Sequence, residues 1–198
     1  LTTVGIAALV GFALLVHERH SPGTTPVAAD HLPPVFENSL GMKFRTLPGT
    51  DAKLAIWETR LRDWQAFASE TQDDSSHPDD PVAGQPLPRI QDFCRWLTAR
   101  DKAAGRIRQD ESYRLPTDRE WSLAAGLTEP ADAKPEDLSA KAGGPYPWGK
   151  LAPAPAGAGN YADSALRERL PNAVVIPAYY DGHPFACAVG SFQPNPHG

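Results

Sequence analysis

The apolar positions of the 198-residue chain change their spacing several times, and each change predicts an element. Leu1 to Val16 is uncharged and mostly apolar, and as a helix it would span roughly 24 Å, against ~30 Å for the hydrocarbon core of a bilayer. It reads as a short or truncated membrane helix over residues 1–16, ahead of a domain held outside the cytoplasm. A secretory signal is the rival reading, because Val27-Ala28-Ala29 offers small residues for cleavage, although these lie well beyond the run. A buried core helix fits less well, since His17-Glu18-Arg19-His20 follows at once. His20 to Pro34 then carries prolines among small and polar residues. Residues 17–34 are therefore expected as an extended linker, and 35–198 as the globular domain.

Within that domain three helices can be placed. Leu54-Ala55-Ile56-Trp57 reads as a strand, and Leu61, Trp64, Phe67 and Ala68 recur at helical spacing after it, with Thr59 as a suitable N-cap for a helix over 59–70. Pro88 suits a first helical position, and Ile90, Phe93, Cys94 and Leu97 then form one apolar face. Thr117-Asp118-Arg119-Glu120 is a capping box, in which hydroxyl and carboxylate each satisfy an orphan backbone donor; Trp121, Ala124 and Ala125 are the expected buried face. Beyond Gly126 only short apolar patches occur, such as Ala173 to Ile176 and Ala188 to Phe192, so long irregular connections are expected.

Composition sharpens this picture. Sixteen Gly and 21 Pro make nearly one residue in five, against about 12% in ordinary proteins, so the domain should be loop-rich. With 41% hydrophobic and 22% charged residues it still has material for one sizeable core. A formal net charge of −5 lacks the basic footprint that phosphate backbones require, and nucleic acid is not an expected partner. Cys94 and Cys187 cannot build a disulfide framework or a four-thiolate metal site, although a single bridge between them stays open at this point; each reads as an ordinary, mostly buried thiol. The histidines show no metal-ligand spacing next to a carboxylate within the domain. Asp73-Asp74 and Asp79-Asp80 lie among Ser75, Ser76 and Pro78, and read as a solvated loop.

Several motifs occur together in a particular order. Phe36-Glu37-Asn38-Ser39-Leu40-Gly41-Met42-Lys43-Phe44 is followed by Trp57-Glu58-Thr59-Arg60, by Phe93-Cys94-Arg95-Trp96-Leu97 and by Tyr113 to Trp121 (YRLPTDREW). Tyr146-Pro147-Trp148-Gly149, Asn160-Tyr161-Ala162-Asp163 and Val189 to Pro196 (VGSFQPNP) come next. In this order they resemble the formylglycine-generating enzyme family, the sulfatase-modifying factors, over about Val35 to Gly198. The resemblance implies an α+β, C-type-lectin-like fold with few regular elements and many loops, here as the N-terminal part of the domain.

It also implies chemistry. Family enzymes convert a sulfatase cysteine to formylglycine with a C-terminal pair of cysteines that binds copper and activates oxygen. Neither Cys94 nor Cys187 matches that pair, so no catalytic residue is assigned in this chain, copper belongs to the C-terminal half, and the chain alone is expected to be inactive. A sulfatase or another protein or peptide is the expected substrate partner. One site carries over: an Asn and the following carbonyl, with an Asp and the carbonyl two residues later, hold a structural calcium in the family. Here these are Asn160, Tyr161, Asp181 and His183, and oxygen ligands from loops suit calcium. The alternative is that Asn160 and Asp181 only form Asx turns beside Gly159 and Gly182. The chain departs from the family before the second helix, where Asp80-Pro81-Val82-Ala83-Gly84-Gln85-Pro86-Leu87-Pro88-Arg89-Ile90 replaces the usual run and its Ser-Trp and Asp-Ala pairs are lost. That departure, with the membrane helix, leaves a second expectation open: a non-catalytic, membrane-anchored lectin-like sensing or binding module, such as the outer part of a protein kinase.

Overall fold

In a computed structural model, which describes residues 15–17, 35–68, 77–126, 154–195 and 197–198, one mixed sheet-and-helix unit takes shape around the central motifs. Its sheet is built from β1 (Leu15–His17), β2 (Phe36–Glu37), β3 (Lys43–Thr46), β4 (Ala52–Ala55) and β5 (Tyr113–Arg114), hydrogen-bonded in the order β2, β3, β4, β1, β5. All four pairings are antiparallel. A Pro48-Gly49 turn joins β3 to β4: Thr50 N–H donates to Leu47 O at 3.1 Å, and Gly49 sits at φ +77°, the conformation a type II turn demands after proline.

β1 corrects the C-terminal end of the expected membrane helix, Leu15 and Val16. Leu15 and Val16 pair with Leu54 and Lys53 of β4 on one side, and with Arg114 and Tyr113 of β5 on the other. A segment with ladder partners on both edges cannot also be the end of a helix, and an apolar stretch ending in β-branched Val16 suits the middle of a sheet. Among the described residues no helix is long and apolar enough to cross a membrane. The remainder of the expected anchor, 1–14, and of the linker, 18–34, lies outside the described residues.

Four helices are described: α1 (Leu61–Ala68), α2 (Leu87–Ala103), α3 (Asp118–Ala124) and α4 (Ser164–Arg169). α1 starts one residue later than the Thr59 cap predicts. Asp63 reaches back to accept Arg60 N–H at 3.0 Å, and this closes the N-terminus while Thr59 is buried. The stripe on α2 is as the spacing predicts, with Phe93, Cys94 and Leu97 buried and Ile90 packed at the edge. Between sheet and helices lie Phe44, Val82, Trp64, Phe93 and Leu97, each at most 2% exposed. Aromatic rings dominate: Phe93 lies 5.4 Å from Trp64, 5.7 Å from Phe67 and 5.8 Å from Trp96 between centroids.

The capping box on α3 is present. Thr117 Oγ1 accepts from Glu120 N–H at 3.3 Å, and Glu120 Oε2 accepts from Thr117 N–H at 2.7 Å. Its buried face differs from expectation, because Trp121 is 45% exposed and Ser122 is the buried residue. Arg114 on β5 grips Glu120 through both guanidinium nitrogens at 2.8 Å, which turns Glu120 toward the sheet and leaves Trp121, about 100° further round, on the outside. The Arg114 guanidinium, aided by Thr117, holds the Glu120 carboxyl down at about 2. Because this value lies below that of an unfolded Glu, the ionised pair stabilises the fold above about pH 4.5, and the contribution is lost as pH falls toward 2. Glu120→Gln should therefore lower stability by about 1–2 kcal/mol at pH 7, partial solvation keeping this below the full shift, and by little near pH 2. Urea midpoints at the two pH values check this; an equal deficit at both would refute it.

Candidate functional site

Two segments of the loop-rich C-terminal region, 159–163 and 176–183, are zipped side by side. Tyr179 is buried, and its hydroxyl donates to Gly159 O at 2.6 Å while accepting Gly159 N–H at 3.2 Å. Ile176 N–H donates to Ala162 O at 2.8 Å, and Ser164 Oγ to Tyr179 O at 3.2 Å. Gly159 is needed for close approach, since a Cβ there would stand 2.9 Å from the Tyr161 ring, which itself lies edge-on to Tyr179 with centroids 5.8 Å apart. Burial raises the Tyr161 phenol above its ordinary range, so it stays a neutral lining group.

The zipper brings the four carried-over residues together. Asp181 Oδ2 accepts Tyr161 N–H at 2.9 Å, and its Oδ1 accepts His183 N–H at 2.8 Å across Gly182, whose φ is +85°. The second bond closes an Asx turn at Asp181. Asn160 does otherwise: its Nδ2 donates to Phe185 O at 2.7 Å and lies 3.7 Å from Cys187 Sγ, leaving Oδ1 as the amide's acceptor. Each carboxylate oxygen of Asp181 retains acceptor capacity after one N–H bond. The residue types would offer an amide oxygen, a carboxylate and two carbonyls, hard-oxygen donors of the kind calcium takes. Among the described residues no group of three or more His, Cys, Asp and Glu could hold a metal ion.

The other candidates separate from this site. Both thiols are free, so the bridge left open by the sequence is not formed. Cys94 sits on the buried stripe of α2, where burial pushes its thiol up to about 11. Cys187 is half-buried near Asn160, and burial raises it as well. Cys94 thus lies on α2, and Cys187 on a separate C-terminal segment beside Asn160. Asp79 is not simply solvated: its Oδ1 lies 3.7 Å from Arg60 and pairs with Arg62. Asp73 and Asp74 fall outside the described residues, as do Tyr146 to Gly149. The Val189 to Asn195 motif fastens the C-terminal segment to the core, with Val189 N–H donating to Asp79 O at 2.9 Å and Asn195 Nδ2 to Ala124 O at 2.8 Å. Gly190 sits at φ +79°, which favours glycine, and a Cβ there would press on the Trp57 indole at 3.3 Å.

Sequence reasoning missed α4 and its cap. Asp163, followed by Ser164 and with Arg167 and Arg169 in the last turn, is the local signal that could have located both.

The unit as built is an α+β domain with five short strands and four helices among its described residues. A family model described as the Sulfatase-modifying factor enzyme 1-like domain matches residues 17–198, and the chain belongs to that family. The match starts at the last residue of β1 and takes in the stretch expected as a linker. Neither the curated proteins nor the solved structures compared with the chain give a match.

Proposed function

We propose that this chain serves as the scaffold and partner-binding part of a formylglycine-generating-type domain and does not itself oxidise cysteine. The observation that carries this reading is the condition of its two thiols: Cys94 is 5% exposed and held protonated in the helix stripe, and Cys187 lies on a different segment beside an amide. Neither supplies the thiolate that oxygen chemistry on sulfur needs at neutral pH. A sulfatase-type peptide bearing the cysteine to be modified is the partner of this reading, with placement outside the cytoplasm. There calcium would be plentiful enough to fill a site with one carboxylate ligand. Asn160 Oδ1, the Tyr161 and His183 carbonyls and Asp181 would hold that ion, whose contribution is to cross-link the two loops.

A non-catalytic binding module is the second reading, favoured by Tyr180 and Phe185, which are 62% and 56% exposed on either side of Asp181 and His183. One experiment addresses both. The chain is incubated with a sulfatase-type cysteine peptide, copper and oxygen, and the peptide is followed by mass spectrometry and by retention on the immobilised chain. An unconverted but retained peptide is the expected result, and a peptide neither converted nor retained favours the binding module, whose ligand is then another. Formylglycine in the peptide overturns the proposal.

A further inference from the structure

We propose that Asp163 is the positioning residue of the calcium loop, fixing the backbone of Asp181 and lending the ion a second negative charge from behind its ligands. The inference rests on the reading that Asn160, Tyr161, Asp181 and His183 hold calcium. Asp163 is fully buried at 0% exposure, and the groups that meet its carboxylate are backbone N–H donors. Oδ2 accepts from Asp181 N–H at 2.7 Å, and Oδ1 from Leu166 N–H at 3.1 Å, where it caps α4. One side chain therefore ties the Asp181 loop, 18 residues away, to the start of a helix that is itself docked on Tyr179 through Ser164.

Capping α4 needs only one acceptor, and Ser or Asn would serve that purpose as well from the surface. Burial of a full charge is costly, and charge-assisted bonds to two N–H groups offset only part of that cost. A cation held by Asp181, whose N–H Asp163 grips, would offset more of it, since opposite charges attract. The same charge benefits the ion, whose proposed ligands include a single carboxylate, because calcium affinity rises with the charge gathered around it. Residues behind metal ligands that orient them commonly change affinity by about 10–100-fold when replaced.

The test uses the full chain, with terbium as the spectroscopic probe of the calcium site, sensitised by Tyr161 and Tyr179, and calcium as the competitor. Wild type should show terbium luminescence that calcium displaces, and Asp181→Ala should lose it. Asp163→Asn keeps an acceptor for Leu166 N–H but removes the charge and sets an amide against one of the two donors. It should bind calcium at least about ten-fold more weakly. Asp163→Ser retains the helix cap and gives up both the charge and the reach to Asp181; it should show the same loss and covers the case in which the amide variant fails to fold. Melting in chelator separates the roles, because a purely structural Asp163 would lower the chelated melting temperature and leave the calcium-dependent increment intact. Wild-type affinity in both Asp163 variants overturns the proposal and leaves the calcium site standing. Absence of any calcium-displaceable signal in wild type overturns the calcium site, and the positioning role with it.

Discussion

Asp63→Ala is expected to lower the stability of the domain by about 3–5 kcal/mol, a large fraction of what a domain of this size has. The Arg60 and Asp63 side chains are 6% and 2% exposed and meet through two parallel bonds, Nε to Oδ2 at 2.8 Å and Nη2 to Oδ1 at 2.9 Å. Asp63 also accepts Arg60 N–H, and Arg60 spans the Trp57 ring at 6.0 Å and reaches Gly41 O at 3.3 Å. Truncating the carboxylate leaves a guanidinium with most of its water excluded and its main partner gone, which is why the loss exceeds the net worth of the pair. Arg60 pairs across an isolated bridge with Pro81, and the neighbouring Asp79 receives Val189 N–H, so the damage should spread to the C-terminal segment. Urea unfolding measures the effect. A double replacement, Arg60→Met with Asp63→Leu, should cost less than Asp63→Ala, since it removes the stranded charge with the pair. A single-variant loss below about 1 kcal/mol would show that the pair is solvated in solution and the corner it closes is open.

How far the fold is legible in the sequence follows the range of the interactions involved. The α3 capping box depends on groups three residues apart, and the α2 stripe on a repeat that a window of a dozen residues contains, so both can be read from the residues alone. β1 cannot. An uninterrupted apolar run is compatible with an anchor, a signal or a strand, and what makes Leu15–His17 a strand is β4 and β5, roughly 40 and 100 residues further on. Trp121 is misplaced by helical spacing for a related reason: its side of α3 is fixed by Arg114 on another element. The four carried-over loop residues are found through motif order, which stands in for long-range contact. Asp163 lies within the same motif, yet the Asp181 N–H that it holds is invisible to any local pattern. The family itself is recoverable from motif order, whereas a boundary at Val35 follows composition and puts β1 outside the domain.

Phe93→Ala should destabilise the domain by about 3–5 kcal/mol, comparably to the loss of Asp63 but through a different cause. Phe93 is 0% exposed and packs against Trp64, Phe67 and Trp96 in one connected set of rings, with Trp64 and Phe67 supplied by α1 and Phe93 and Trp96 by α2. Truncation opens a cavity that neither helix can fill alone. Leu97 is itself fully buried, and Arg89 is engaged over the Trp64 and Phe67 rings at 5.8 and 5.9 Å. Because the lost contacts are dispersion and area burial, the deficit should be nearly the same at pH 4 and pH 7 and insensitive to salt. Phe93→Leu retains most of the volume and should cost less than about 1.5 kcal/mol. Denaturant midpoints for the three variants, with tryptophan fluorescence reporting on Trp64 and Trp96, decide the matter. A Phe93→Ala loss as small as that of Phe93→Leu would mean that α1 and α2 collapse together over the gap, and that the sheet rather than the aromatic layer between the helices carries the stability of this domain.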